Sequence, residues 1–191
     1  MILKRFSGRL YAVSNNWVAV SALIVFVLFS VLVLPSQSSQ ADEISGDSGS
    51  PDMLFFYSSQ NLFDMAEAYG QQGRTEYIRA RFTFDLIWPL VYGFFLSTSI
   101  SWLIKRAGLS NTSLGLLNLV PVFGVLFDYF ENMTTSWVMF RYPEPALLPT
   151  ALAPFLTATK WILVGSSFGI LILGIITVIW DAIRSQKKNK M

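Results

Sequence analysis

The chain has 191 residues, of which 53% are hydrophobic and 14% are charged, and its mean hydropathy is +0.49. This composition is too apolar for an ordinary soluble domain and predicts one small polytopic membrane protein. The absence of cysteine and histidine excludes thiol chemistry, disulfides, Cys/His zinc sites and Ser-His triads. No cofactor and no metal site is predicted.

The N-terminal region predicts the first membrane helix. Residues 1–16 carry three basic side chains and no acid, and residues 17–34 form an uncharged apolar run. The run is long enough to span a bilayer, so residues 1–34 are expected to be a cytoplasmic N-terminus followed by an uncleaved anchor. Ser39-Gln-Ala41 also fits the cleavage site of a secretory signal, and cleavage is the alternative interpretation.

Two kinds of segment are predicted in residues 35–81, outside the membrane. Residues 35–51 are rich in Ser, Gln, Asp and Gly, which predicts a flexible linker. Apolar residues then recur among polar ones from Ser59, a candidate N-cap, to Gly70, a candidate stop. This pattern predicts a short amphipathic helix on the outer membrane surface, followed by a turn at residues 71–73.

Residues 82–104 predict the second spanning helix. Its one acid is Asp85, and Arg81 lies four residues earlier, so the two side chains can pair on a continuous helix. Tyr92 is expected lower down, near the same side of the helix. Pro89 lacks an N–H group and is expected to kink the helix or loosen its hydrogen bonding.

Three polar side chains interrupt the third apolar run, residues 114–140. Spacings of three and four residues place Asp128, Glu131 and Asn132 on one helix face. A carboxylate at the centre of a membrane helix costs about 2.5–3.5 kcal/mol on insertion scales, so this face is expected to turn toward protein or water. The run exceeds the thickness of a bilayer core, and tilt or a kink at Pro121 is expected.

The remainder of the chain predicts a fourth span. Prolines keep residues 141–160 irregular, with a partial helix possible from Ala146 to Thr159, and Lys160 ends this outer connection. Residues 161–180 are uncharged and predict the fourth helix, and residues 181–191 form a basic cytoplasmic tail.

Small residues at helical spacing predict close helix contacts. Gly93, Ser97 and Ser101 recur every four residues in the second span and form a seam that permits close approach. Gly165 and Gly169 form a similar pair in the fourth span and indicate a second tight contact.

Basic residues predict the orientation in the membrane. The N-terminus, the Lys105-Arg106 loop and the tail together carry nine Lys and Arg residues, whereas most acids lie in residues 42–76. The positive-inside rule then places both termini in the cytoplasm. Membrane lipids are the expected partners, with anionic lipid at the basic tail, and no nucleic acid is expected.

The predicted functional site lies where acidic groups converge in the outer half of the bundle. A fully paired network would be structural, whereas three acids against two bases leave a surplus acid that could handle a proton or a cation. The site residues are Asp85, Tyr92, Asp128, Glu131 and Asn132, with Arg81 and Lys160 as charge partners.

Two blocks of sequence resemble a pattern in small bacterial four-helix integral membrane proteins. They comprise Ala68-Tyr-Gly70, Gly73-Arg74, Tyr77, Asp85, Pro89 and Tyr92, and then Asp128-Tyr-Phe-Glu-Asn132. The resemblance implies a four-helix fold in a bacterial plasma membrane and carries no activity with it.

The predicted fold class is an all-α membrane protein with four transmembrane helices and a short amphipathic outer helix between helices 1 and 2. The leading function is a ligand- or lipid-binding or membrane-protein interaction module. The alternatives are a small proton- or cation-coupled transporter and a lipid-modifying membrane enzyme. The residues around Asp85 and Asp128 lack the sequence contexts of intramembrane aspartyl proteases, and the sequence identifies no catalytic residue.

Overall fold

The computed structural model describes residues 2–188 and is all-helical, with no β-strand in that range. The prediction of an all-α fold is therefore confirmed. Short 3-10 helices occupy Gly46–Ser48, Pro51–Met53 and Ser113–Leu119. The α-helices are α1 (Ile2–Val13), α2 (Asn16–Leu32), α3 (Leu34–Ser45), α4 (Ser59–Ala68), α5 (Gly70–Arg81), α6 (Phe84–Arg106), α7 (Val120–Arg141) and α8 (Leu147–Lys188).

Three stretches of the described chain are long and apolar enough to cross a membrane, namely Gly70–Arg106, Ser113–Arg141 and Leu147–Gln186. Helices α1 and α2 reach that length and composition only together, and they meet at a bend of 91°. By length and composition the number of candidate spans is therefore three, or four if α1 and α2 form one broken span.

Helices α2, α6, α7 and α8 pack together as a bundle. Stacked aromatic rings join α2 to α6: the ring centroids of Phe26 and Phe95 are 4.5 Å apart, and those of Phe29 and Trp88 are 5.6 Å apart. Buried apolar side chains form one cluster inside the bundle. We call it the bundle cluster; its members are Ala22, Tyr92, Phe95, Leu96, Ile100, Leu103, Ile104 and Leu171.

The two predicted small-residue contacts have different outcomes. A Cβ added at Gly93 would lie 2.3 Å from Val125 Cγ2, so the predicted seam on α6 is a close contact with α7. A Cβ added at Gly165 or Gly169 would meet no atom within 4 Å, so the second predicted contact is wrong in the described chain. The glycine of α8 that lies against α6 is Gly174, where an added Cβ would lie 3.0 Å from Leu103 Cδ1.

The other end of the bundle carries a second layer of helices. Helices α3, α4 and α5, together with residues 46–58, form a cap layer over the C-terminal end of α7 and the N-terminal part of α8. Its buried apolar side chains are Tyr57, Leu62, Met65, Ala66, Tyr69 and Tyr77, and they pack on Val138, Met139, Ala146 and Ala153. The described chain thus has two apolar clusters, one in the bundle and one under the cap layer.

The predicted flexible linker, residues 35–51, is wrong over most of its length because Leu34–Ser45 is helical. Pro35 lies in the first turn, where its missing N–H group costs no intrahelical hydrogen bond. Ile44 packs against the apolar cluster of the cap layer. This tertiary contact offsets part of the entropy cost that made a linker the expected state.

The predicted amphipathic helix is confirmed as α4, with corrected ends. Ser58 is the N-cap, since its hydroxyl accepts a hydrogen bond from the Asn61 N–H group. Gly70 follows the end of α4 and has a positive φ of 61°, which turns the chain directly into α5. The predicted turn at residues 71–73 is wrong, because these residues form the first turn of α5.

The predicted irregular connection, residues 141–160, is shorter than expected. Helix α8 begins at Leu147 and continues through Pro154 and Lys160 without interruption. A proline removes one helix hydrogen bond, and neighbouring polar side chains can bond the backbone groups around it. Here the carbonyl that Pro154 leaves without a helix donor is that of Thr150, and the Ser59 hydroxyl donates to it at 3.1 Å.

The bounds of the second and third predicted helices also change. The chain breaks between α5 and α6 at Phe82 and Thr83, so Arg81 and Asp85 lie on different helices. The first residues of the predicted third span form a 3-10 helix, and Pro121 lies in the first turn of α7 instead of causing a kink. The last residues of the predicted basic tail, 189–191, lie outside the described residues.

Candidate functional site

A layer of polar side chains lies between the bundle cluster and the apolar cluster of the cap layer. It includes all seven side chains that the sequence predicts as site residues or charge partners. We call this set the polar layer; its members are Asp52, Tyr57, Arg81, Asp85, Tyr92, Asp128, Glu131, Asn132, Thr157 and Lys160. Most of these side chains are deeply buried; Glu131, for example, is 1% exposed.

The first part of the polar layer is organised by Arg81. Its Nη1 atom lies 2.8 Å from Asp85 Oδ2, and its Nη2 atom lies 3.0 Å from Asp52 Oδ1. The Tyr77 ring lies under the guanidinium group, at 4.5 Å from its centroid. The predicted Arg81–Asp85 pair is confirmed and joins the cap layer to α6, and Asp52 binds the same cation from within the cap layer.

The second part is organised by the buried pair of Lys160 and Glu131, whose Nζ and Oε2 atoms are 2.6 Å apart. The Thr157 hydroxyl donates to Glu131 Oε1 at 2.7 Å. The Tyr57 hydroxyl lies 3.0 Å from Thr157 Oγ1 and is the donor there, because the single Thr157 proton points to Glu131 or to the helix backbone. This chain of contacts ties the cap layer to α7 and α8.

Asp128 differs from the other carboxylates of the polar layer in its partners. The Tyr92 hydroxyl donates to its Oδ2 atom at 2.8 Å, and the Asn132 amide donates to its Oδ1 atom at 3.2 Å. No ion pair to Asp128 is formed within residues 2–188. The seven predicted residues therefore meet in one layer, but Asp128 is held by neutral donors.

Two groups of the cap layer have shifted pKa values. Burial opposes ionisation of Asp52, but the positive charges of Arg81 and Lys160 and a hydrogen bond from Ser50 outweigh it and lower the pKa of Asp52 to about 2. Burial raises the pKa of Tyr57 well above its ordinary value. At neutral pH Asp52 is therefore a carboxylate, and the Tyr57 hydroxyl keeps its proton.

The chemistry available to the polar layer is that of carboxylates, one ammonium group, one guanidinium group, hydroxyls and an amide. Among residues 2–188 no group of three or more His, Cys, Asp or Glu side chains is arranged to hold a metal ion. The layer contains four carboxylates and two cations, so its acids outnumber its bases.

Three members of the polar layer are not predicted as site residues from the sequence. Asp52 and Tyr57 lie in a segment without a helical pattern, and no spacing rule connects them to Arg81 or to Glu131. Thr157 had a usable signal, because it precedes Lys160 by three residues and shares its helix face. The interpretation of residues 141–160 as an irregular connection does not use that signal.

Comparisons of the chain with protein-family models, with curated proteins and with solved structures find no match.

Proposed function

We propose that the protein is an integral membrane protein with four spans, formed by α2, α6, α7 and α8, and with both termini in the cytoplasm. The apolar side chains exposed on α2 and α8 support this proposal, because a bilayer would cover them. On α8 they include Ile162, Ile172, Leu173, Ile176 and Ile179. Basic residues lie on α1, at the C-terminal end of α6 and at the C-terminus of the chain. They favour a cytoplasmic location for the end of the bundle where these segments lie.

The length of α8 supports an outer location for the cap layer. Helix α8 has 42 residues. At about 1.5 Å per residue it is about 60 Å long, roughly twice the 30 Å hydrocarbon core of a bilayer. Both ends therefore extend beyond the bilayer, and the N-terminal part carries the cap layer. In line with the sequence resemblance, the proposed membrane is a bacterial plasma membrane.

The proposed function is that of a ligand- or lipid-binding or membrane-protein interaction module, and specifically a module that binds another membrane protein. The observation that carries this proposal is the internal pairing of the buried charges. Arg81 pairs with two aspartates, and Lys160 pairs with Glu131. Charges satisfied in this way fix the cap layer on the bundle, whereas a catalytic or transport site needs groups open to its substrate.

The cap layer and the N-terminal part of α8 together offer a surface that is apolar on one side. We call it the apolar rim; it consists of Met53, Phe55, Phe56, Leu147 and Phe155, all exposed. The Phe56 and Phe155 rings pack edge to face with centroids 6.3 Å apart, which joins the two segments into one surface. Aromatic and methionine side chains are enriched at protein interfaces, so the rim suits a partner with an apolar surface beside the outer leaflet.

Site-specific photo-crosslinking in cell membranes tests the interaction. A photoreactive amino acid is placed at Phe56, at Phe155 and, as a control within the cap layer, at the exposed polar residue Gln60. We expect one protein adduct of the same mass from both rim positions and no adduct from position 60. Absence of a protein adduct at the rim, or adducts at all three positions, would contradict the interaction module.

A proton- or cation-coupled transporter is the second candidate, and the surroundings of Asp128 favour it. This buried carboxylate accepts hydrogen bonds from Tyr92 and Asn132 and has no cation partner among the described residues. In proteoliposomes with an internal pH dye, a transporter would dissipate a pH gradient, and Asp128→Asn would abolish that flux. The interaction module predicts equal gradients with wild-type protein and variant. A lipid-modifying enzyme stays the third prediction from the sequence.

A further inference from the structure

Helix α1 lies across the end of the bundle opposite the cap layer. It meets α2 at 91° and packs on α6 and on the 3-10 helix Ser113–Leu119. Two hydroxyls anchor it there: Ser7 donates to Asn118 Oδ1 at 2.9 Å, and Tyr11 donates to the Gly115 carbonyl at 2.7 Å. The position of α1 is therefore fixed by buried polar contacts.

A cavity of about 690 Å³ lies between α1, the end of α6 and residues 110–116. Lys4 reaches it from α1 and Lys105 reaches it from α6, and the polar side chains of residues 110–113 complete the wall. No acidic residue lines the cavity. In the described part of the chain neither lysine forms an ion pair.

We propose that this cavity binds an anionic phosphate ester. Two ammonium groups from separate elements converge on one concave site, and hydroxyl and amide groups beside them can donate further hydrogen bonds to phosphate oxygens. The volume lies within the roughly 300–1,000 Å³ typical of small-molecule sites, so it accommodates a phosphate and a small attached group. The net positive wall selects an anion over a metal cation.

Such an anion could be a phospholipid headgroup or a soluble phosphate ester. On another face of α1, Phe6 and Leu10 line an apolar groove of about 550 Å³ that continues between α2 and α6. A lipid could place an acyl chain near this groove while its phosphate occupies the cavity. A soluble ester would use the cavity alone, and its binding would not depend on an acyl chain.

Binding measurements on the full chain in zwitterionic detergent test the proposal and separate the two sources. The probes are short-chain phosphatidylglycerol, short-chain phosphatidylcholine, glycerol 3-phosphate and inorganic phosphate. We expect Lys4→Gln combined with Lys105→Gln to weaken binding of the anionic probe by about 30-fold, the equivalent of about 1 kcal/mol for each lysine. The matched control is Arg5→Gln with Arg9→Gln, which removes the same charge from exposed positions that do not line the cavity.

A second variant tests the cavity without changing its charge. A Cβ at Gly8, which lines the cavity, would meet no atom within 4 Å, so Gly8→Leu adds a side chain in open space. We expect it to weaken binding at least tenfold while the melting temperature without ligand is retained. Binding of phosphatidylglycerol alone would assign the site to lipid, and equal binding of glycerol 3-phosphate would assign it to soluble esters. No binding of any anionic probe, or equal losses in the lysine and arginine variants, would overturn the proposal.

Discussion

Lys160 and Glu131 form a deeply buried ion pair, with side chains 8% and 1% exposed. Removing each charge from water is costly, and here the cost is offset by the opposite charge and by the hydrogen bond that Thr157 donates. Loss of one partner therefore leaves the other charged and without compensation. Loss of both partners leaves no buried charge, so the two substitutions should not be additive.

The buried Lys160–Glu131 pair predicts the stability of three variants. Glu131→Leu and Lys160→Met should each lower the free energy of unfolding by about 3–5 kcal/mol, and the double variant should recover part of that loss. Unfolding in mixed micelles, followed by tryptophan fluorescence, measures all three. Glu144→Gln, which breaks the exposed pair with Arg141, is the control and should cost about 0–1 kcal/mol. Additive losses in the double variant would show that the pair is not a coupled unit.

The residues of the polar layer differ in how far the sequence can predict them. Arg81 and Asp85 are four residues apart and form the pair that this spacing predicts, although the break at residues 82 and 83 places them on different helices. Asp52 reaches the same guanidinium only through the path of the chain between α3 and α4, which no local pattern encodes. Pairs close in sequence can therefore be predicted from spacing, whereas contacts between segments distant in sequence require the tertiary fold.

Asp52 predicts a specific acid dependence of stability. Its pKa is about 2 in the folded protein against an ordinary value of 3.8. Because the folded-state pKa is lowered, the charged side chain stabilises the fold above about pH 4, and this contribution is lost as the pH falls toward 2. We expect the melting temperature of Asp52→Asn to fall less steeply than that of wild type between about pH 4 and pH 2. The exposed Asp64→Asn should keep the wild-type slope, and identical slopes for all three proteins would contradict the role of Asp52.

At the scale of elements, apolar runs predict the helices that carry most of the bundle. The second and third predicted spans correspond to α6 and α7. Helix α3 is not predicted from the sequence, and the first part of α8 is predicted only as a possible partial helix from Ala146 to Thr159. Both segments contain helix-disfavouring residues, and they pack on α5 and α7. Propensity is a weak prior that such tertiary contacts override.

The contact between α6 and α7 predicts the effect of adding one methyl group. Gly93→Ala would place a Cβ 2.3 Å from Val125 Cγ2, so it should destabilise the protein by about 1–3 kcal/mol. Adding Val125→Ala should recover part of this loss by making room. Gly165→Ala is the matched control in open space and should be neutral or slightly stabilising. Unfolding midpoints in detergent compare the variants, and equal stability of Gly93→Ala and Gly165→Ala would contradict the close contact.

At the scale of the whole molecule, a buried polar layer separates two apolar clusters. The bundle beyond this layer exposes apolar side chains along α2 and α8, whereas the cap layer carries polar side chains on α4 and α5. This division is what a protein needs when one part lies in lipid and another lies in water. Hydropathy could predict the long apolar helices, but the folded cap layer depends on contacts between distant segments.

Two cysteines introduced into this cysteine-free chain test the proposed membrane topology directly. Ser48→Cys lies in the cap layer, and Ser185→Cys lies near the C-terminal end of α8. In intact cells we predict that an impermeant thiol reagent labels position 48 at once and labels position 185 only after the membrane is permeabilised. Labelling of position 185 from outside, or protection of position 48 in intact cells, would contradict a four-span membrane protein with an outer cap layer and cytoplasmic termini.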